Sequence, residues 1–584
     1  MKSFLKNVFA NIVAIMIMGV IFFVFFIFFI AIASMSGDEK TEIKNNSVLV
    51  IDSKLQIIDA PTDDREDSFI PQKNPPKKVL IYDVIEAIKA AKNDKNIKGI
   101  SIEADNLEAG ITHFDDLRNA LEDFKKSGKF VYSYGNIVSQ PSYYLGSVAD
   151  QYFLHPAGGI ELKGLSQQVV FFKDFFDKYG VEMEVIRHGK FKAAVEPYLS
   201  NHISPENEEQ LSVLLNDIWG KVSTKIAASR KINDTQFKTV VDSLYGIIPQ
   251  NTIKYGLADK LLQKSEYDDI IRTKLGVEKG EKINKISLAS YAETLEEKEE
   301  EKEIAVLYAS GEIHSGDEYS DIYSEKYIKY IRDLKDDDNV KAVVFRINSP
   351  GGSANASDEI LFELQELKKK KPLIISFGDY AASGGYYIAM AADKIYSEPN
   401  TITGSIGVFG TLPSAKKLAE NHGITNDVVK TNEGADYYSR LNGLNPIGKE
   451  MISKSVVGTY QRFVNFVAQG RKKSFNQVDE IGGGRVWSGS RAKSIGLVDE
   501  LGTLHDAVGF AANKTQLKSY SVKSYPEELS LFDELFMTYD EETISAKILK
   551  HQLGEEHYKV FKNISKLKDK NQIMMETEYR VSLK

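Results

Sequence analysis

Adding 243 to a residue number carries the first half of this sequence onto the second. Asn96 and Lys98 fall on Asn339 and Lys341, Asp115 on Asp358, Leu121 on Leu364, and Lys125-Lys126 on Lys368-Lys369. Ser133 and Gly135 meet Ser376 and Gly378, Tyr143-Tyr144 meet Tyr386-Tyr387, and Ala149-Asp150 meet Ala392-Asp393. Pro156, Gly164 and Gly180 meet Pro399, Gly407 and Gly423. The offset then slips to 241 for Pro205 and Arg230 against Pro446 and Arg471, and to 240 for Gly256-Leu257 and Asp259 against Gly496-Leu497 and Asp499. Chance does not hold such a register over about 160 residues, so one domain is written twice. A chain of 584 residues is too long for a single core in any case.

Each copy reads as α/β. Short apolar runs suit buried parallel strands: Gly99–Glu103 with Lys341–Ile347, and Phe130–Ser133 with Leu373–Ser376. Helical periodicity lies between them, as at Ile360, Leu361, Leu364 and Leu367. Strands alternating with helices imply crossover units and a mainly parallel sheet. Expected boundaries are 1–40 for an N-terminal anchor, 41–294 for the first repeat, 295–303 for a charged linker, 304–520 for the second repeat and 521–584 for a C-terminal extension with helical stretches. Residues 38–75 read as a tether leading into a first strand, Ser47–Ile51.

The anchor rests on Ile12–Ala33, 22 residues without a charge. A helix of that length spans roughly 30 Å of hydrocarbon. Lys2 and Lys6 precede it and Asp38 and Glu39 follow, which favours a cytoplasmic N-terminus and a body outside the cytoplasm. Ala31-Ile32-Ala33 also resembles a signal-peptide cleavage site, but signal cores run about 7–15 residues, shorter than this run. The net charge of −9, with both signs interspersed, argues against a nucleic-acid binder. With no cysteine there is no thiol nucleophile, disulfide framework or cysteine metal site.

The chemistry concentrates in the second copy. One strand ends in Ile347-Asn348-Ser349-Pro350-Gly351-Gly352, a turn whose glycine N–H groups can approach a ligand closely, as an oxyanion hole requires. The next, Leu373–Phe377, runs through Gly378-Asp379-Tyr380-Ala381-Ala382 into Ser383-Gly384-Gly385, and an apolar helix-like stretch, Ile388–Ala392, follows. Ser383 thus sits at a strand-to-helix junction among small residues, where free N–H groups favour a developing oxyanion. Serine is also a favoured N-cap, the bland reading of such a position.

A serine nucleophile needs a base. His188 and His155 lie in the first copy, though no carboxylate obviously orients either, and the G-x-S-x-G elbow is absent because Ala381 takes the first glycine position. The repeat offers a better candidate. Ser383 maps to Gln140, and Gly351 and Gly352 map to Glu108 and Ala109, so the first copy lacks the nucleophile and the turn. The first copy carries Gly189-Lys190-Phe191-Lys192-Ala193-Ala194-Val195-Glu196-Pro197-Tyr198, and Lys192 maps to Ala435. A composite site across the two copies explains both losses, with Lys190 a neighbouring rival to Lys192.

These segments, with Thr403-Gly404-Ser405-Ile406-Gly407, resemble the signal peptide peptidase A family in its long, duplicated, membrane-anchored form, from the anchor to about Thr515. The serine motif alone would also fit Clp-type proteases. The resemblance implies two tandem α/β domains of the Clp/crotonase-like fold behind one transmembrane helix. It implies Ser383 as nucleophile, Lys192 as general base through its K-x-A-V-E-P-aromatic context, Ser405 as the lysine's hydrogen-bond partner, and Gly352 and Gly384 N–H groups as the oxyanion hole. It further implies remnant signal peptides as substrates, a bowl-like homo-oligomer, commonly a tetramer, and a bacterial inner-membrane location with the catalytic body on the periplasmic side. No metal, other cofactor, nucleotide or nucleic acid is implied.

A lysine titrates near 10.4 in water and must be neutral to accept a proton, which burial promotes. Glu196 would oppose this if it paired with Lys192, so it is expected to point away, for instance toward Arg187. Two rivals remain: a crotonase-like acyl-CoA enzyme, and a non-catalytic membrane scaffold.

Overall fold

Each half builds a sheet around the same run of parallel strands, to which the second half adds Val486–Ser488, antiparallel to Ile402–Gly404. The computed structural model describes residues 13–22, 24–25, 43–61, 76–295, 299–317, 321–526 and 573–577. In the first half the strand order is Lys260–Leu261, Gln151–Ile160, Phe130–Val138, Ile97–Glu103, Ser47–Asp52 and Asn284–Ser287, all parallel. In the second half Leu373–Ala382, Val340–Ser349, Glu303–Ser310 and Ser521–Tyr525 repeat the last four positions. The counterpart of Gln151–Ile160 is split there into Lys394–Ser397 and Ile402–Gly404, both paired with Leu373–Ala382. The charged stretch 295–303 therefore ends inside a strand at Glu303, and the second sheet extends past residue 520 to Tyr525.

The strands are apolar because helices cover both faces. Val343, Val344, Phe345, Leu373, Ile374 and Ile375 are all fully buried. Helix Ala354–Lys368 lays Ile360, Leu361, Leu364 and Leu367 onto the second core, as its periodicity predicts. The duplication extends to single interactions. Helices Pro205–Arg230 and Pro446–Arg471 each have 26 residues, and each ends in an arginine that grips an aspartate with two hydrogen bonds. Arg230 holds Asp259 at 3.1 and 3.0 Å, and Arg471 holds Asp499 at 2.9 and 2.7 Å.

A third sheet joins the repeats. Its order is Ile322–Tyr323, Ile313–His314, Gly351–Ser353, Ile573–Glu576, Val408–Ser414 and Glu182–His188. Glu182–His188, from the first repeat, runs antiparallel to Val408–Ser414 from the second, from Glu182 opposite Ser414 to His188 opposite Val408. A buried charged cluster also crosses the boundary. Arg346 donates to Asp59 at 2.7 Å, His113 Nε2 lies 3.0 Å from the same carboxylate oxygen, and the Thr112 hydroxyl donates to Asp379 at 2.7 Å. Burial works against the charge on Asp59, but Arg346 and His113 hold its carboxyl well below the usual carboxylate range. Burial pushes Asp116 up to about 7 and raises Glu398 well above its ordinary value.

Within the apolar run Ile12–Ala33, residues 13–22 and 24–25 are helical with exposed side chains, and the remainder lies outside the described residues. Among the described residues no helix is long and apolar enough to cross a membrane.

Candidate active site

The serine follows its strand directly. Leu373–Ala382 runs five residues beyond the expected Phe377, and Ser383 then turns into the short helix Gly384–Ile388. It occupies the N-cap position, but its side chain makes no capping hydrogen bond, so the bland reading of this serine does not hold. Its backbone has φ near 55°, sparsely populated for a non-glycine residue, and Ser405 has φ near 51°. Backbone bonds hold both: Ser383 N–H donates to the Gly404 carbonyl at 2.8 Å, and Ser405 N–H to the Arg485 carbonyl at 2.7 Å.

Lys192 reaches this point from the other repeat. It follows strand Glu182–His188, whose pairing with Val408–Ser414 sets its approach. Its Nζ lies 2.8 Å from Ser383 Oγ and 3.0 Å from Ser405 Oγ. All three side chains are at most 1% exposed. Phe409 contributes an aromatic ring 5.8 Å from the amine. Lys190, the rival, is exposed, with its amine 5.1 Å from the Phe191 ring. His188 packs against Tyr460, with ring centroids 4.1 Å apart and the planes tilted by 39°, and His155 bonds Gln263 at 3.0 Å.

Glu196 turns toward the start of the next long helix. It accepts hydrogen bonds from the Ser204 hydroxyl and from Asn207 Nδ2, the latter at 2.9 Å, and Arg187 approaches to 4.0 Å. Ser204 is itself the N-cap of Pro205–Arg230. The carboxylate closest in sequence to Lys192 is thus spent on capping machinery.

Gly352 and Gly384 lie side by side. A methyl added to Gly384 would sit 3.2 Å from Gly352 N and 3.2 Å from Gly351 Cα, so the two backbones pack closely. Gly351 has φ near 107°, a conformation a side chain would strain. In the first repeat the equivalent place is sealed: Gln140 accepts from Lys163 and Gly164 N–H, both at 2.9 Å, and donates to the Gly164 carbonyl at 3.0 Å.

Sequence reasoning brings together Ser383, Lys192, Ser405, Gly352 and Gly384, and it missed two neighbours. The loop Gly482-Gly483-Gly484 packs on the lysine segment: Phe191 N–H donates to the Gly483 carbonyl at 2.9 Å, and a methyl on Gly484 would come 2.6 Å from Lys192 N. The run of three glycines was the available signal. The strand Ile573–Glu576, set between Gly351–Ser353 and Val408–Ser414, had no signal beyond a short apolar stretch.

The profile of Peptidase family S49 matches residues 123–277 and 365–518, once in each repeat, and a Clp protease profile matches residues 296–403. Protease 4 of Salmonella typhi is 35% identical over 465 residues, covering 78% of this chain and 75% of that one. Protease 4 of Haemophilus influenzae is 31% identical over 546 residues, 88% of each chain. The chloroplastic serine protease SPPA of Arabidopsis thaliana is 34% identical over 442 residues, covering 74% of this chain and 65% of that one. With two family matches in register with the duplication, and relatives that are proteases along most of its length, the chain is a serine protease of Clp-like α/β fold and belongs to Peptidase family S49.

Proposed function

We propose that this protein is a membrane-anchored endopeptidase that works through a serine–lysine dyad and degrades signal peptides left behind by secretion. The carrying observation is the 2.8 Å approach of Lys192 Nζ to Ser383 Oγ, across the repeat boundary and out of water. Lys192 takes the proton from Ser383, whose oxygen attacks a peptide carbonyl. The Gly352 and Gly384 N–H groups hold the oxyanion. Lys192 passes the proton to the leaving amine, and water resolves the acyl-enzyme. Ser405 positions the amine, 3.0 Å away.

The repeats act as one unit: 41–294 supplies the lysine and 304–520 the serine, joined by 295–303 and followed by 521–584. The apolar run Ile12–Ala33, with its exposed helical residues, supports a single membrane span. Lys2 and Lys6 support a cytoplasmic N-terminus, hence a body on the periplasmic side of the bacterial inner membrane. The family resemblance supports a homo-oligomer, commonly a tetramer. The test is labelling with a fluorophosphonate, which reacts with activated serines. The expected result is one adduct, on Ser383, that Lys192→Ala suppresses. An adduct on Ser383 at undiminished rate in Lys192→Ala would remove the lysine from the mechanism.

A further inference from the structure

Lys192 holds its amine on Ser383 from a piece of chain with no ladder of its own. It lies between strand Glu182–His188 and the short turn Ala193–Val195, and belongs to neither. Its N–H makes a long bond, 3.4 Å to the Gly189 carbonyl. Side chains hold the carbonyls on either side of its Cα. Arg187 Nη1 donates to the Lys192 carbonyl at 3.2 Å, and Gln210 Nε2 donates to the Phe191 carbonyl at 3.0 Å. Gln210 also reaches the other repeat: its Oε1 accepts from Val486 N–H at 3.3 Å. One side-chain amide thus ties the Phe191–Lys192 peptide of the first repeat to strand Val486–Ser488 of the second.

Val486 is the strand position nearest the two serines in the bonding pattern. It stands opposite Gly404, whose carbonyl takes the Ser383 N–H at 2.8 Å. The preceding residue, Arg485, takes the Ser405 N–H on its carbonyl at 2.7 Å. The main-chain bonds that aim both hydroxyls therefore converge on the segment that Gln210 grips. The Arg485 guanidinium adds a second link between the same two pieces, 4.7 Å from the Phe191 ring and 4.6 Å from the Trp487 ring.

The chemistry of the bridge selects glutamine. The Phe191 carbonyl can only accept and the Val486 N–H can only donate, so the tip between them needs one donor and one acceptor. A carboxylate would set oxygen against the Phe191 carbonyl, and an apolar side chain would leave two buried main-chain groups open. Gln210 is 1% exposed, so water does not replace either bond. Its amide is held from behind as well: Nε2 lies 3.2 Å from Asn207 Oδ1, and Asn207 in turn holds Glu196 at 2.9 Å.

We infer that Gln210 is a positioning residue for the reaction: by bridging the Phe191 carbonyl and the Val486 N–H it sets the reach of Lys192 to Ser383 across the repeat boundary. This rests on the serine–lysine reading above. Gln210 touches no reacting atom and acts through the Phe191–Lys192 peptide. Its loss lets the lysine segment drift from the strand that holds the two serines, while the peptide-binding surface keeps its shape. A shift of about 1 Å in a reacting group costs about 100-fold in rate.

The test uses the full-length protein and reads two quantities: the rate and stoichiometry of fluorophosphonate labelling, and kcat and KM on a peptide substrate. Gln210→Met keeps the length of the side chain and removes both hydrogen bonds. The expected result is one adduct per chain, on Ser383, formed about 10–100-fold more slowly, with kcat lowered to match and KM within about twofold. Gln210→Glu, which keeps the acceptor for Val486 and loses the donor to Phe191, is expected to slow labelling as well, and it decides the matter if Gln210→Met does not fold. In a Lys192→Ala background Gln210→Met should cause no further loss, because its effect passes through the lysine. Labelling at the unmodified rate in either glutamine variant overturns the proposal. So does a reduced number of adducts formed at the unmodified rate, which marks a loss of folded protein alone, and so does an equal further loss in the Lys192→Ala background. Undiminished labelling of Lys192→Ala itself removes the dyad, a result distinct from all of these.

Discussion

Ser383 and Ser405 both hold positive φ, at 55° and 51°, which costs about 1–3 kcal/mol each and persists only where surrounding bonds enforce it. Those bonds come from Gly404 and Arg485, and the geometry they enforce aims both hydroxyls at one amine. Removing one hydroxyl separates chemistry from positioning. Ser405→Ala is predicted to lower kcat about 10–100-fold with KM nearly unchanged, a part of the ~10²–10⁴ that a positioned base contributes. Steady-state kinetics on a peptide substrate measure this split. A KM effect alone would make Ser405 a binding residue. Gly484 is the backbone counterpart. Its φ of 86° and its contact with Lys192 leave no room for a methyl, so Gly484→Ala is predicted to push the lysine off the serine. The expected readout is a loss of kcat of at least about 100-fold, with the melting temperature lowered by only a few degrees.

At the level of elements, the duplicated pattern was legible because buried parallel strands and amphipathic helices leave periodic, apolar signals in both copies. Val340–Ser349 overruns the expected Lys341–Ile347 by no more than two residues at either end, and Ala354–Lys368 contains the periodic Ile360, Leu361, Leu364 and Leu367. The pairing of Ser383 with Lys192 was legible for a different reason: each copy had lost what the other retained. The third sheet was not legible. Its strands are two to seven residues long, draw on both repeats and on residue 573 onward, and leave no period that one copy could reveal by comparison with the other. The glycine loop at 482–484 was visible as composition, but its contact with Phe191 and Lys192 depends on tertiary packing alone.

The whole molecule is held across the repeat boundary by charges out of water as well as by strands. Arg346 is fully buried and serves Asp59, the Phe377 carbonyl and Ser376. Arg346→Met is predicted to destabilise by about 3–5 kcal/mol, because it strands buried carboxylates without a counter-charge; chemical denaturation measures it. Asp116 makes the opposite case. Burial raises its folded-state pKa to about 7, above the unfolded value near 3.9, so its favourable contribution is complete below about pH 4 and lost as pH rises through 7. Asp116→Asn should therefore raise the melting temperature at pH 8, with the gain fading toward pH 5; an equal gain at both would deny that the carboxylate is ionised at a cost. The central claim is that one catalytic site is assembled from both repeats, and the most direct measurement is kcat/KM for peptide cleavage by the detergent-solubilised protein beside Ser383→Ala and Lys192→Ala. The account predicts that both variants, folded and equally oligomeric, lose activity by at least about 10³-fold. Normal cleavage by Lys192→Ala would contradict it.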